Sequence, residues 1–209
     1  MGVWKKINYK KDENERSVNI RVHKTMTWHE QRRILSEVAL EKELTWHFEK
    51  GVTYHVLSWG DIDSLTYLRL LVKQQYIEYA MITTWAMAAT DIKEIGLWLD
   101  KGYIGRLDFY VGDIFKSSYE LETKMLHEIC IKHKCKFAVL KNHSKMITAF
   151  GEKFDAVVES SANLNTNPRI EQAAITIDTE LALFYKNIFD EFQPFNTDFE
   201  QPEKYEIKR

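Results

Sequence analysis

Cysteine is scarce in this sequence, Cys130 and Cys135 being the only two. Two thiols five positions apart near a predicted helix end cannot staple a secreted scaffold, which points to a reducing compartment. Proline is scarce too: three in 209 residues leave no Pro-rich linker to divide the chain. No apolar run approaches the ~18 residues of a membrane helix, and the first residues lack the continuous apolar stretch of a secretory leader. Met1-Gly2 fails as an acylation signal, because Lys6 stands where a serine or threonine is wanted. Charge of one sign is also missing. The net value of -2 excludes a globally basic nucleic-acid binder but leaves room for a local patch. Gly-x-Gly phosphate cradles are absent, so neither a dinucleotide enzyme nor a P-loop enzyme is expected. Together these absences predict a cytoplasmic protein with no membrane partner, in a host cell or a virion if phage-encoded.

What is present is a hydrophobic fraction of 44% with 29% charged residues, enough for a sizeable core under an ordinary surface. Three regions are expected: a basic arm and helix over 1–50, a main domain over 51–193, and an acidic tail over 194–209. The arm carries Lys5, Lys6, Lys10, Lys11, Arg16, Arg21 and Lys24, with Trp4 and Tyr9 able to stack on a base. Thr27 and Glu30 form a capping box for a helix running to about Phe48, with Ile34, Leu35, Val38 and Leu44 as its apolar stripe. Trp28-His29 recurs as Trp46-His47, a spacing that places both copies on one side of that helix, where packing is the simpler explanation.

Strand-like and helix-like segments then alternate. Strands are expected at 52–58, 76–85, 106–114 and 137–140, with helices at 62–73 (opened by Asp61), 90–100 and 118–134. Two extended runs, 144–150 and 154–160, meet at Gly151-Glu152-Lys153 like an inserted hairpin. A last helix, 179–192, is amphipathic through Leu181, Phe184, Tyr185, Ile188 and Phe192. This order predicts an α/β fold, a mixed and mostly parallel sheet flanked by helices, with an N-terminal helical extension.

The residues that carry chemistry lie around the hairpin. His143 and Lys145 alternate onto one face of an extended run, about 7 Å apart. An imidazole beside an ammonium suits a phosphate, one attacking phosphorus while the other neutralises its oxygens. Ser161 and Asn163 share a face at the end of the next run and add a hydroxyl and an amide donor. Glu171 follows, where a carboxylate can orient the imidazole through its second nitrogen.

His143-Ser144-Lys145 resembles the H-x-K half of the HKD motif of the phospholipase D-like superfamily, and Ser160-Ser161-Ala162-Asn163 resembles its G-S-x-N half. The run from Ser161 to Glu171 is similar to the single-motif bacterial and phage-encoded branch, whose members are nuclease-like. The resemblance is specific over 140–171 and topological over the rest of 52–192. It implies a metal-free phosphodiesterase acting through a phosphohistidine, with no cofactor. His143 would attack, Lys145 and Asn163 would hold the non-bridging oxygens, Ser161 would support them, and Glu171 would position His143. Family members need two such motifs. Here His143 is the only histidine with a lysine two residues on, so the resemblance implies a homodimer in which the second copy protonates the leaving oxygen.

The chain departs from the pattern in three ways. Phe150 stands where the motif has an acid, and Asp155 is nearby but on the following strand. Ser160 replaces a glycine, and the interval from His143 to Asn163 is long. An inactive relative that binds nucleic acid or serves assembly in a phage or mobile element stays open as a second reading. A phospholipid phosphodiesterase is a third. His127, Cys130, His133 and Cys135 are zinc-ligand types, but they occupy one helix end, whereas structural zinc sites draw on two elements, so a packing face is expected there.

Overall fold

A computed structural model describes residues 28–44, 48–60, 62–165, 169–195 and 199–208. The basic arm, Thr27 of the capping box, Trp46-His47 and Asp61 lie outside these residues. In chain order the elements are α1 (Trp28–Glu43), β1 (Thr53–Ser58), α2 (Ser64–Gln74), β2 (Ile77–Thr84), α3 (Ala89–Asp100), β3 (Ile104–Gly112), α4 (Ile114–Ser118) and α5 (Glu120–His133). They continue as β4 (Phe137–Leu140), β5 (Met146–Gly151), β6 (Asp155–Ser160), β7 (Glu171–Thr176) and α6 (Thr179–Glu191).

The seven strands form one sheet in the order β1-β7-β6-β5-β2-β3-β4. β2, β3 and β4 pair in parallel, while β5 and β7 are antiparallel to their neighbours. Five strands therefore run one way and two run back, which makes the sheet mixed, as the alternating pattern predicts. The carboxyl ends of β1, β2, β3, β4 and β6 and the amino ends of β5 and β7 all lie along one edge of the sheet.

Period-two alternation sorts the strand residues onto two faces. Ala80, Ile82, Leu107, Phe109, Val111, Ile147, Ala149 and Val158 meet Leu65 and Leu68 of α2, Ile92 and Ile95 of α3, and Leu126 of α5 in one apolar cluster. Tyr79, Met81, Tyr110, Met146, Phe150 and Val157 form the other face, covered by Ala182 and Phe189 of α6 and by Tyr205 and Ile207 of the C-terminal segment. The first cluster needs only burial to hold it, at about 1.5–3 kcal/mol for each large side chain removed from water.

The second face is polar beneath its covering. The Asp108 carboxylate accepts from Arg106 Nε at 2.8 Å, Tyr79 OH at 3.0 Å and the Lys136 backbone N–H at 2.7 Å. Lys136 Nζ donates to Tyr110 OH at 3.1 Å, that hydroxyl donates to Asp190 at 3.1 Å, and Lys186 closes on Asp190 at 2.5 Å. Tyr205 stacks on Tyr79 with ring centroids 4.7 Å apart. Asp108 and Asp190 are paired with Arg106 and Lys186, and the Lys136 ammonium is hydrogen-bonded to Tyr110, as buried charges require compensation.

Several boundaries and faces differ from the expectations. α2 is capped by Asp63, whose side chain accepts from Thr66 N. β7 is a strand where the sequence pattern predicts none. On α1, Ile34, Leu35 and Val38 are exposed. Leu44 packs on the core as expected, joined by Leu40 and Phe48, and the helix is tied down by Glu37 to Arg69 and Glu41 to Lys73. α6 is rolled so that Phe184 and Phe192 are exposed while Lys186 and Asp190 are buried. The buried ion pairing described above makes that orientation tolerable. Gly102, with φ of +68°, ends α3 in a conformation that favours glycine.

Candidate functional site

The β5–β6 hairpin forms by antiparallel pairing from Met146↔Glu159 to Phe150↔Asp155. Its turn is held by Gln75, which donates to Phe154 O at 2.9 Å and accepts from Lys153 N at 2.8 Å and Phe154 N at 3.1 Å. Fixing the turn at one end sets where the two arms finish at the other. There, Ser160 N donates to Lys145 O at 2.9 Å, extending the ladder one step past β5.

His143 and Lys145 lie in the segment entering β5. The Lys145 ammonium sits 3.0 Å from His143 Nδ1 and donates to the His143 carbonyl at 2.7 Å. Burial pulls this ammonium below the usual lysine range, and the nearby Glu171 carboxylate opposes the shift. His143 itself is exposed. The loop carrying it is tied to the strands beneath: Asn142 Nδ2 donates to Tyr110 O at 3.0 Å and Ser144 Oγ to Thr83 Oγ1 at 2.8 Å.

Ser161 and Asn163 follow β6 but do not present a common face, because the chain leaves the ladder at Ser160. The Ser161 hydroxyl turns toward β7, donating to Glu171 and accepting from Gln172 N at 3.0 Å. Asn163 turns toward β2, its Oδ1 accepting from Trp85 N at 3.3 Å and Thr84 Oγ1 at 3.5 Å. With Oδ1 occupied, Nδ2 is the end of the amide that can serve an anionic ligand. Glu171, expected to steady the imidazole, is engaged by Ser161. Its charge is felt by Lys145 and also by Tyr67, whose phenol is pushed up by burial first and then by Asp63 and Glu171.

Two helices open onto the same edge of the sheet. Ser64 at the start of α2 donates from Oγ to Ala162 O at 2.5 Å and from N to Asn163 O at 3.3 Å. Ala88 N, at the cap of α3, donates to Leu164 O at 2.8 Å. Helix amino ends carry partial positive charge, and here these donors hold the 162–164 segment that follows β6.

Sequence patterning does not mark Trp85 as part of the site, yet the fold brings it there. Its half-buried ring stands 5.6 Å from the His143 ring, inclined at 55°. Gly112 at the end of β3 makes room for it: a Cβ there would meet Trp85 Cδ1 at 2.7 Å. The signal that could have found it is its position at the carboxyl end of a parallel strand, where ligands of open α/β sheets bind.

Phe150, in the place of the motif acid, is fully buried beside Tyr79 on the α6 face. Asp155 is paired directly across from it and takes Gly151 N at 3.3 Å and Thr179 Oγ1 at 2.7 Å. The carboxylate thus sits on the neighbouring arm, at the root of α6.

The zinc-type residues have other partners. His133 Nε2 lies 2.8 Å from Asp100, His127 packs on Phe199, and the Cys130 thiol faces the Lys136 carbonyl. Among the described residues no group of three or more His, Cys, Asp or Glu could hold a metal ion, and no helix is long and apolar enough to cross a membrane.

No protein-family model matches the chain, and no curated protein matches it. Solved structures do. A polyphosphate kinase from Porphyromonas gingivalis aligns over 69% of this chain and 27% of its own, at 11% identity and a TM-score of 0.52. Nuc from Salmonella typhimurium, described as a phospholipase D family member, aligns over 67% of this chain and 93% of its own, at 12% identity and 0.48. NucT from Helicobacter pylori covers 67% and 95%, at 17% identity and 0.45. The chain therefore spans about a quarter of the kinase. At such identities the likeness concerns architecture alone. The likeness to the kinase, the one of the three with a TM-score above 0.5, is a shared α/β architecture over that part of the chain.

Proposed function

We propose that this protein is a phosphodiesterase that cleaves DNA or RNA without a metal ion, its active site completed by a second copy of the chain. The observation that carries the reading is the Lys145 ammonium set 3.0 Å from His143 Nδ1, with the Asn163 amide held on Trp85, whose ring neighbours that of His143. His143 attacks phosphorus, the bond to the leaving oxygen breaks, and His143 of the second copy delivers the proton that oxygen needs. Water then releases the phosphoryl group and restores the imidazole. Lys145 and Asn163 Nδ2 neutralise the non-bridging oxygens as charge gathers there. Ser161 and Glu171 hold one another and fix the start of β7 against the end of β6. Ser161 takes the Oε2 oxygen of Glu171, and Oε1 is the one to accept from the imidazole.

The test is cleavage of plasmid and single-stranded DNA by the purified protein in the presence of a chelator. The wild type is expected to cleave, and His143→Ala to lose roughly a thousandfold or more while sedimenting as the same dimer. Retained cleavage in His143→Ala removes His143 from the chemistry, and a monomer at micromolar concentration removes the shared site. The Ser161–Glu171 pairing and the burial of Phe150 favour a second reading, an inactive module that binds nucleic acid. Binding without cleavage in both proteins would select it.

A further inference from the structure

We infer that Trp85 is a stacking platform for an unpaired base next to the scissile phosphate, and that the substrate class is therefore single-stranded nucleic acid. The inference rests on the phosphodiesterase reading and specifies its substrate. Three observations carry it. The indole ring stands 5.6 Å from the His143 ring, a separation bridged by one nucleotide whose phosphate lies at the imidazole. The ring is only half-buried, while its edge is wedged against Gly112, where even a Cβ would collide. Its own backbone N–H holds Asn163 Oδ1. A tryptophan serving only the core would be closed off, as Trp98 is at 7% exposure. Trp85 is instead only partly covered, with its ring beside His143 and its backbone N–H on Asn163.

A base within a duplex is already stacked and paired and cannot turn onto a ring so close to the phosphate. A single strand can, because its bases are free to splay onto aromatic faces. Lys141 and Arg169, both exposed and flanking the His143 loop and β7 along this edge, suit the phosphates on either side and leave the net charge of -2 no obstacle.

The experiment uses the full chain carrying His143→Asn so that bound strands stay intact. Binding of a labelled oligothymidine is compared with the same strand containing abasic spacers and with its duplex, before and after Trp85→Ala and Trp85→Phe. Trp85→Ala is expected to weaken oligothymidine about tenfold and the abasic strand less than about twofold, with Trp85→Phe keeping most of the affinity. The ratio between the two strands is insensitive to the folded fraction, so a poorly folding variant still answers. Equal losses on both strands, or tighter binding of the duplex, overturn the inference. Cleavage of the same oligothymidine by the wild type judges the underlying reading separately. Trp85-dependent binding without cleavage removes the reaction and keeps the platform, whereas cleavage with binding indifferent to Trp85 does the reverse.

Discussion

The two faces of the sheet solve the same packing problem with different materials. Under α2, α3 and α5 the contacts are aliphatic and aromatic, and each side chain adds its own increment of burial. Under α6 the sheet offers Arg106, Asp108, Tyr79, Tyr110 and Lys136, which α6 answers with Lys186 and Asp190. On the aliphatic side any residue can be trimmed at a local cost. On the α6 side no member can leave alone, because each buried charge depends on its neighbour for compensation. Packing is additive on one side and mutually dependent on the other.

The strongest challenge to this contrast is at Asp108, which gathers a guanidinium, a phenol and a backbone N–H. Asp108→Ala is expected to destabilise the fold by about 4 kcal/mol, measured by urea denaturation, because it strands the Arg106 charge. A loss under about 1 kcal/mol would show that water replaces the carboxylate. The pair Lys186–Asp190 gives a finer test. Lys186→Met alone should cost about 3 kcal/mol, whereas Lys186→Met with Asp190→Leu should return within about 1 kcal/mol of the wild type. Additive losses would mean that this face behaves like the other.

The smallest expected effect is on pH dependence. Burial first, then Asp108 for Tyr79 and Asp190 for Tyr110, raises both phenols above the ordinary tyrosine value of 10.0. The native state therefore keeps protons that the unfolded chain gives up above that value. The stability from the protonated phenols is complete below pH 10 and falls as pH rises past it. Urea midpoints between about pH 8 and about pH 11 should decline less steeply in Tyr79→Phe and Tyr110→Phe, while an aliphatic substitution such as Leu68→Ala leaves the slope unchanged.

The same contrast explains what could be read from the chain. The strands under the aliphatic cluster, the hairpin and the helix after Asp178 announce themselves through periodicity and turn residues. β7 does not. Glu171-Gln172-Ala173-Ala174-Ile175-Thr176 has little intrinsic strand preference, and it becomes a strand because β1 and β6 present unpaired edges to it. The burial of Lys186 and Asp190 is equally hidden, since a charge reads as solvent-facing until its distant partner is known. At the candidate site, His143 and Lys145 stand out as neighbours in sequence. The attachment of Asn163 to Trp85 joins positions 78 residues apart, and no local pattern encodes it.

The Gln75-pinned hairpin has a consequence for how this chain can diverge. Lys145 and Asn163 stand at the open end of a fork whose closed end is anchored, so the interval between them measures the length of both prongs. While the ladder stays intact, that interval can grow or shrink only by matched residues, one on each prong. Odd changes must be absorbed by the bend at 152–154. Because the closed end is anchored, one residue added to each prong would carry the tips about 3.3 Å outward and reverse their faces, so the spacing between the two halves of the motif is a ruler of prong length.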